Sequence, residues 1–431
     1  MVACPPLPAP AKSSATVRNL EPQDNTRQRL ITAAATLVSE GGIAAASARA
    51  IATQAGASAS AINYNFGNIE RLLHAVFEHG VEETRAWLEA CAHDIAALPR
   101  TSGGAALALV HVITAWASSG RRLALIYQEA LTASPDHSPS AAWTRLWRDF
   151  WQETAESFGL PAMNGRVLHA FFEHEALYHL SGWSPALESA ALTEMVEHLA
   201  AIWLDAPAHP SRDAISLAER AAGTRPHGSV PPAAMRIAKA AAEVVEDKGL
   251  TGLTHRAVAS HAGVTTGSVT HHFRSIEDLV AGAIRGQVQA MTDDAVVQSQ
   301  AAPPTDEILT PDILFKSLRP HVTAETPSSA VIRRRRLFLA AVRRPDLAAA
   351  GAVIRFSYGG TLRDSLGRTF ALPGDALLAN ASVLARLLAA IWFACAGDDD
   401  PAASRSALFD WIATGVRTRL TPLEALGGAD S

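Results

Sequence analysis

One stretch of this chain occurs twice. Shifting Arg29 forward by 207 positions lays it on Arg236, and the two copies then run in register, without a gap, to Leu72 and Leu279. Arg49 meets Arg256, Ala52 meets Ala259, Gly56 meets Gly263, Phe66 meets Phe273 and Glu70 meets Glu277. Apolar positions fall on apolar positions and glycine falls on glycine, the signature of a duplicated structural unit. At 431 residues the chain exceeds one ordinary core, so two or more domains are expected.

Within the first copy, Leu30, Ala33, Ala34, Leu37 and Val38 recur at helical spacing over Thr26 to Glu40, and Gly41-Gly42 supplies a stop. Ser47 is placed to cap a short helix from Ala48 to Ala55. Gly56 makes a tight turn, Ser58 caps a third helix to about Asn65, and Asn68 caps a fourth. The second copy repeats this from Ala233, with Thr254, Gly263, Thr265 and Ser275 at the corresponding places. A short helix, a glycine-centred turn and a second short helix form the helix-turn-helix layout. Ala52 and Ala259 let the helices cross closely, and Ile51, Ile62, Val258 and Val269 seal a small core.

Each copy resembles the DNA-binding domain of the TetR family of bacterial transcriptional regulators. The residues that carry the resemblance are Gly42, Ser47, Ile51-Ala52, Ala55-Gly56-Ala57-Ser58 and Ile62 to Glu70. In the second copy they are Gly249, Thr254, Val258-Ala259, Ala262 to Gly267 and Val269 to Glu277. Two positions depart from the family pattern. The lysine that precedes the glutamate is Ile69 or Ile276, and the tyrosine late in the recognition helix is Asn63 or Thr270.

The resemblance implies an all-α chain of two tandem units, each a helix-turn-helix domain followed by a helical ligand-binding and dimerisation body. The expected boundaries are a disordered arm over 1–25, a first DNA-binding domain over 26–79, a first body over 80–205 and a linker over 206–232. A second DNA-binding domain follows over 233–280 and a second body over 281–425. Body helices are expected near 81–97, 104–117, 120–132, 140–157, 163–181 and 186–204. In the second half they fall near 280–297, 306–318, 328–342, 346–366, 374–396 and 402–419. The linker carries five prolines, with room for a helix over 211–222. Ser134-Pro135-Asp136 beside Arg344-Pro345-Asp346, and Phe158 to Pro161 beside Phe370 to Pro373, extend the duplication into the bodies.

Ser47 and Arg49, with Thr254 and Arg256, are the expected phosphate contacts. Ser58, Ser60, Asn63 and Tyr64 are expected to face double-stranded DNA from the first copy, and Thr265, Thr266, Thr270 and His271 from the second. Asparagine can pair with adenine and threonine can meet a thymine methyl. Neither recognition helix holds a lysine or arginine, and the formal net charge is −5, so binding is expected to be modest and salt-sensitive. The second copy has more donors, so the heads are not expected to be equivalent. By family analogy the last two helices of each body pair, either within one chain as a pseudo-dimer or between chains as a homodimer. Unlike heads in one chain would read an asymmetric operator. The implied activity is transcriptional control, as a repressor released by a small molecule. The competing reading is a ligand-binding or protein-interaction module whose heads have lost their grip on DNA.

Other patterns carry less. Trp143, Trp147 and Trp151 recur every four residues, and with Trp116 they could wall an effector pocket, although core packing explains such a stripe more simply. His169, Glu173, His174 and His179 share one expected helix but different faces, which favours a polar stripe over a metal site. The run Arg333 to Arg336 reads as a solvated face with charge pairs. No spacing suggests catalytic residues, a cofactor or a membrane span, and three widely spaced cysteines suit a reducing cytoplasm.

Overall fold

The computed structural model describes residues 22–133, 138–224, 231–248, 252–276, 278–284, 286, 309–327 and 329–427. Among them the chain is helical throughout; the sole strand-like pairing is a bridge between Phe370 and Pro422. Residues 1–21 of the arm expected over 1–25, and Glu277, Gly249 and the Ser134 to Asp136 turn, lie outside the described residues.

The first head comprises α1 (Pro22–Gly41), α2 (Ala48–Ala55), α3 (Ala59–Phe66) and the start of α4 (Ile69–Ile95). α1 begins four residues before Thr26, where periodicity alone starts it, so residues 22–25 are helix rather than arm. α4 crosses the expected 79/80 boundary without a break. Its 27 residues span about 40 Å and join head to body as one rod. Gly80 does not end the helix. It clears space for an indole: a Cβ there would stand 2.5 Å from the Trp143 ring.

The first body continues with α5 (Ser102–Ala117), α6 (Arg121–Ala133), α7 (Ser138–Ser157), α8 (Ala162–Tyr178) and α9 (Pro185–Trp203). The second half carries α11 (Pro232–Lys248), α12 (His255–Ala262), α13 (Thr266–His272) and α14 (helical residues 278–284). Then come α15 (Pro311–Val322), α16 (Ser329–Val342), α17 (Ala348–Phe356), α18 (Gly360–Gly367), α19 (Gly374–Ala394), α20 (Pro401–Arg419) and α21 (Leu423–Gly427). The helix expected over 346–366 is two helices. They break at Gly359, whose φ of 98° suits glycine, and whose missing Cβ would sit 2.9 Å from the Ala381 carbonyl. The helix expected over 306–318 runs instead from Pro311, where Thr310 accepts a bond from the Ile313 N–H and fixes the start.

Between the halves, α10 (Ala214–Thr224) occupies the expected linker. It buries Ile215, Ala218 and Ala222 and packs on α9 and α17. Glu194 of α9 accepts from the backbone N–H groups of Arg212 and Ile215, both at 2.9 Å, so the start of α10 is stapled to α9.

The halves meet along α8, α9, α19 and α20. α19 is apolar and long enough to cross a membrane by composition, but most of it is buried inside the protein against α8. The seam holds charges. Arg335 donates to Glu173 at 2.7 Å and to Gln128 at 2.6 Å, while the Tyr127 hydroxyl donates to the other Glu173 oxygen. Glu175 takes bonds from Arg355 and from Arg386 at 2.8 Å, and Arg166 and Arg148 both reach Asp398. Burial would raise the Glu175 carboxyl, but Arg355 and Arg386 outweigh it and hold it below its usual range. Arg334 and Arg335 are thus buried, not the solvated face that the arginine run suggests. Their partners lie far away in sequence, on α8, α17 and α6.

Candidate nucleic-acid interface

Each head is built from local chemistry. Ser47 accepts from the Ala50 N–H at the start of α2, and Thr254 accepts from the Ala257 N–H at the start of α12. Gly56 and Gly263 end these helices in the left-handed conformation, with φ of 59° and 64°. Ala52 and Ala259 are buried at the crossings, and Ile51, Ile62, Val258 and Val269 fill the small cores. Phe66 and Phe273 are buried as well.

The recognition helices start differently. Thr265 accepts from the Ser268 N–H at 3.2 Å. Ser58 occupies the same place at the head of α3 but makes no such bond; its hydroxyl pairs with Ser60 at 2.8 Å instead. Ser58 is therefore a cap by position and not by hydrogen bond, against the sequence expectation. The Thr270 hydroxyl bonds back to the Thr266 carbonyl, which turns its chemistry toward its methyl group.

All twelve DNA-facing candidates are exposed. Ser47, Arg49, Ser58, Ser60, Asn63 and Tyr64 lie on the surface of the first head, and Tyr64 is 73% exposed. Thr254, Arg256, Thr265, Thr266, Thr270 and His271 do so on the second. Ile276, where the family pattern carries lysine, is exposed, and Ile69 is half-buried.

Sequence reasoning gave no part in the first head's geometry to one residue. Arg29 on α1 donates from Nε and Nη2 to the Ala55 carbonyl, at 3.0 and 2.8 Å, and from Nη2 to the Gly56 carbonyl at 2.9 Å. It satisfies carbonyls that the end of α2 leaves open, and so fixes the turn that aims α3. The signal was present, since Arg29 opens the matched repeat with Arg236.

Trp116, Trp143, Trp147 and Trp151 are buried to 1% exposure or less. Trp116 and Trp147 ring centroids stand 4.9 Å apart, Trp147 and Phe172 4.0 Å, and Trp143 and Tyr127 5.1 Å. They pack as one aromatic core and line neither the cleft of about 660 Å³ between Phe158, Trp203 and Trp411 nor the one of about 400 Å³ between α1 and α4. The indole N–H groups of Trp143, Trp147 and Trp151 have no hydrogen-bond partner among the described residues. Behind them His169 and His174 are buried, and burial drives the His169 pKa down to about 3. Glu173, between these histidines in sequence, is committed to Arg335 and Tyr127. Among the described residues no three metal-ligating side chains converge.

Residues 30–76 and 237–283 each match the family described as bacterial regulatory proteins, tetR family. The two matches are offset by the same 207 positions as the repeat. No curated protein matches the chain. Two matched head domains, each with an exposed recognition helix, make this a DNA-binding transcriptional regulator. Both head segments thus match the tetR family of bacterial regulatory proteins, and the chain carries two TetR-like units in tandem.

Proposed function

We propose that this chain acts alone as a pseudo-dimer, its two units over about 26–205 and 233–425 standing where two subunits would, and that it represses transcription from an asymmetric operator. The observation that carries this reading is the seam. α8 and α9 pack on α19 and α20 within one chain, with buried Arg–Glu pairs between the halves. Ser47, Arg49, Thr254 and Arg256 hold phosphates. Ser58, Ser60, Asn63 and Tyr64 read one half-site, and Thr265, Thr266, Thr270 and His271 read another. Unlike side chains at matching positions favour unlike bases. A small-molecule effector that binds a body releases the repressor by shifting the separation of the heads.

Footprinting on the gene's own upstream region, with Arg49→Ala and Arg256→Ala made separately, tests the reading. Each variant should lose protection over one half-site only. Absence of any salt-sensitive, sequence-selective protection would favour a protein-interaction module instead. A sedimentation mass near twice 45.4 kDa would rule out the monomeric pseudo-dimer.

A further inference from the structure

We infer that Arg343 is a positioning residue for the first head, which it ties to the body of the opposite half. This rests on the reading of both heads as DNA readers. Arg343 follows α16 in the second half. Its Nε donates to the Ser39 carbonyl at 3.1 Å and its Nη2 to the Val38 carbonyl at 3.4 Å, both in the last turn of α1. The same Nη2 donates at 2.7 Å to Glu129 of α6. The other Glu129 oxygen accepts from the Ile43 N–H at 3.3 Å, just past the end of α1. Arg343 and Glu129 therefore hold the exit of α1 between them.

The chemistry suits the place. The last carbonyls of a helix lack internal partners and carry the negative end of its dipole, so a cation there is stabilising. α1 has no basic residue in its own last turn, and the second half supplies one. Gly42 fits the clamp in two ways. Its φ is 78°, and a Cβ there would lie 3.0 Å from Glu129 and 3.5 Å from Arg343. Arg121 extends the tie, donating to the Leu180 carbonyl of its own half and at 2.9 Å to the Val342 carbonyl beside Arg343.

The second head has no such clamp in its sequence. The register that aligns Pro135 with Pro345 puts Ala133 opposite Arg343 and Leu339 opposite Glu129. Among the described residues neither α6 nor α16 packs on α11 as α6 packs on α1. The two heads are therefore governed unequally. The first is tied to both bodies, and among the described residues the second shows no such tie to the first half.

Amide exchange and DNA binding on the full chain test this with Arg343→Ala, Arg343→Lys and Glu129→Gln. In Arg343→Ala, exchange over residues 42–47 should rise about tenfold, equivalent to about 1.4 kcal/mol, while residues 252–258 stay as in the wild type. Arg343→Lys, which keeps the charge, should quicken the same amides less, and it serves if the alanine variant does not fold. On duplexes selected from a random pool by the wild-type chain, Arg343→Ala should weaken the half-site that Arg49→Ala abolishes, and spare the other. Exchange within twofold of wild type over 42–47, or equal loss at both half-sites, overturns the inference. If no duplex is selected, the DNA-reading proposal fails, and the exchange measurement still decides the clamp.

Discussion

Arg335 of the second half donates to the Glu173 carboxylate of the first at 2.7 Å, and neither side chain meets solvent. Burying two charges is costly, and their attraction offsets the cost only when both are present with further hydrogen bonds. Here Tyr127 and Gln128 supply those bonds. Arg335→Ala should therefore destabilise the chain by about 3–5 kcal/mol in urea unfolding, whereas Arg335→Met with Glu173→Leu should recover most of the loss. Burial raises the Glu173 carboxyl even with Arg335 in place. A raised folded-state pKa favours folding at low pH and loses that contribution as pH rises through it. The Arg335→Ala loss should thus be smaller at pH 5 than at pH 8. Equal losses at both would mean Glu173 stays ionised without its partner.

Acid should open the same seam. His169 and His179 are held neutral with pKa values of about 3, and His174 is driven well below 6.5. Burial is the main cause, and neighbouring arginines add to it. Below about pH 6.5 the unfolded chain binds protons at these sites that the folded chain does not, so stability falls as pH drops toward 3. Each fully buried histidine costs about 1.4 kcal/mol per pH unit in that window. His169→Phe should flatten the pH dependence of the melting temperature between pH 4 and 6. A slope unchanged from wild type would remove His169 as its source.

The two recognition helices differ in how they start, and that difference is measurable. Thr265 makes a capping bond and Ser58 does not. Thr265→Ala should cost the second head about 1 kcal/mol, read as faster amide exchange over residues 266–272. Ser58→Ala should leave residues 59–66 nearly unchanged. Equal effects would show that Ser58 turns back onto its helix in solution.

The heads were legible in the sequence because their signals are local. Caps at Ser47 and Thr254, glycines at 56 and 263, and apolar spacing within 40 residues need no knowledge of distant partners. The body helices of the first half were legible for the same reason, with proline and glycine at nearly every junction. Most of what failed depended on partners outside the local stretch. Arg334 and Arg335 look solvated until α8 and α17 are folded beside them, because local charge spacing carries no information on residues 162 positions away. The break expected at 79/80 is absent because α4 runs on through Gly80, which leaves room for the Trp143 ring. The Ser58 hydroxyl is a choice between two nearby partners that residue type does not decide.

Arg29 separates aiming a recognition helix from gripping a phosphate. Its guanidinium is committed to the Ala55 and Gly56 carbonyls, at the turn between α2 and α3. Arg49 is exposed at the start of α2, where it can meet a phosphate. Both Arg29→Met and Arg49→Ala remove one positive charge and should weaken the first half-site. They should differ in salt dependence. Losing a phosphate contact lowers the slope of log affinity against log salt by about one. Arg49→Ala should show that drop. Arg29→Met should lose affinity at an unchanged slope, because it disturbs the angle of α3 and releases no counterion of its own. It should also quicken amide exchange around Gly56, by about the worth of one or two partly exposed hydrogen bonds, roughly 1 kcal/mol. A slope reduced equally in both variants would place Arg29 on the DNA backbone and remove its role as the turn's clamp.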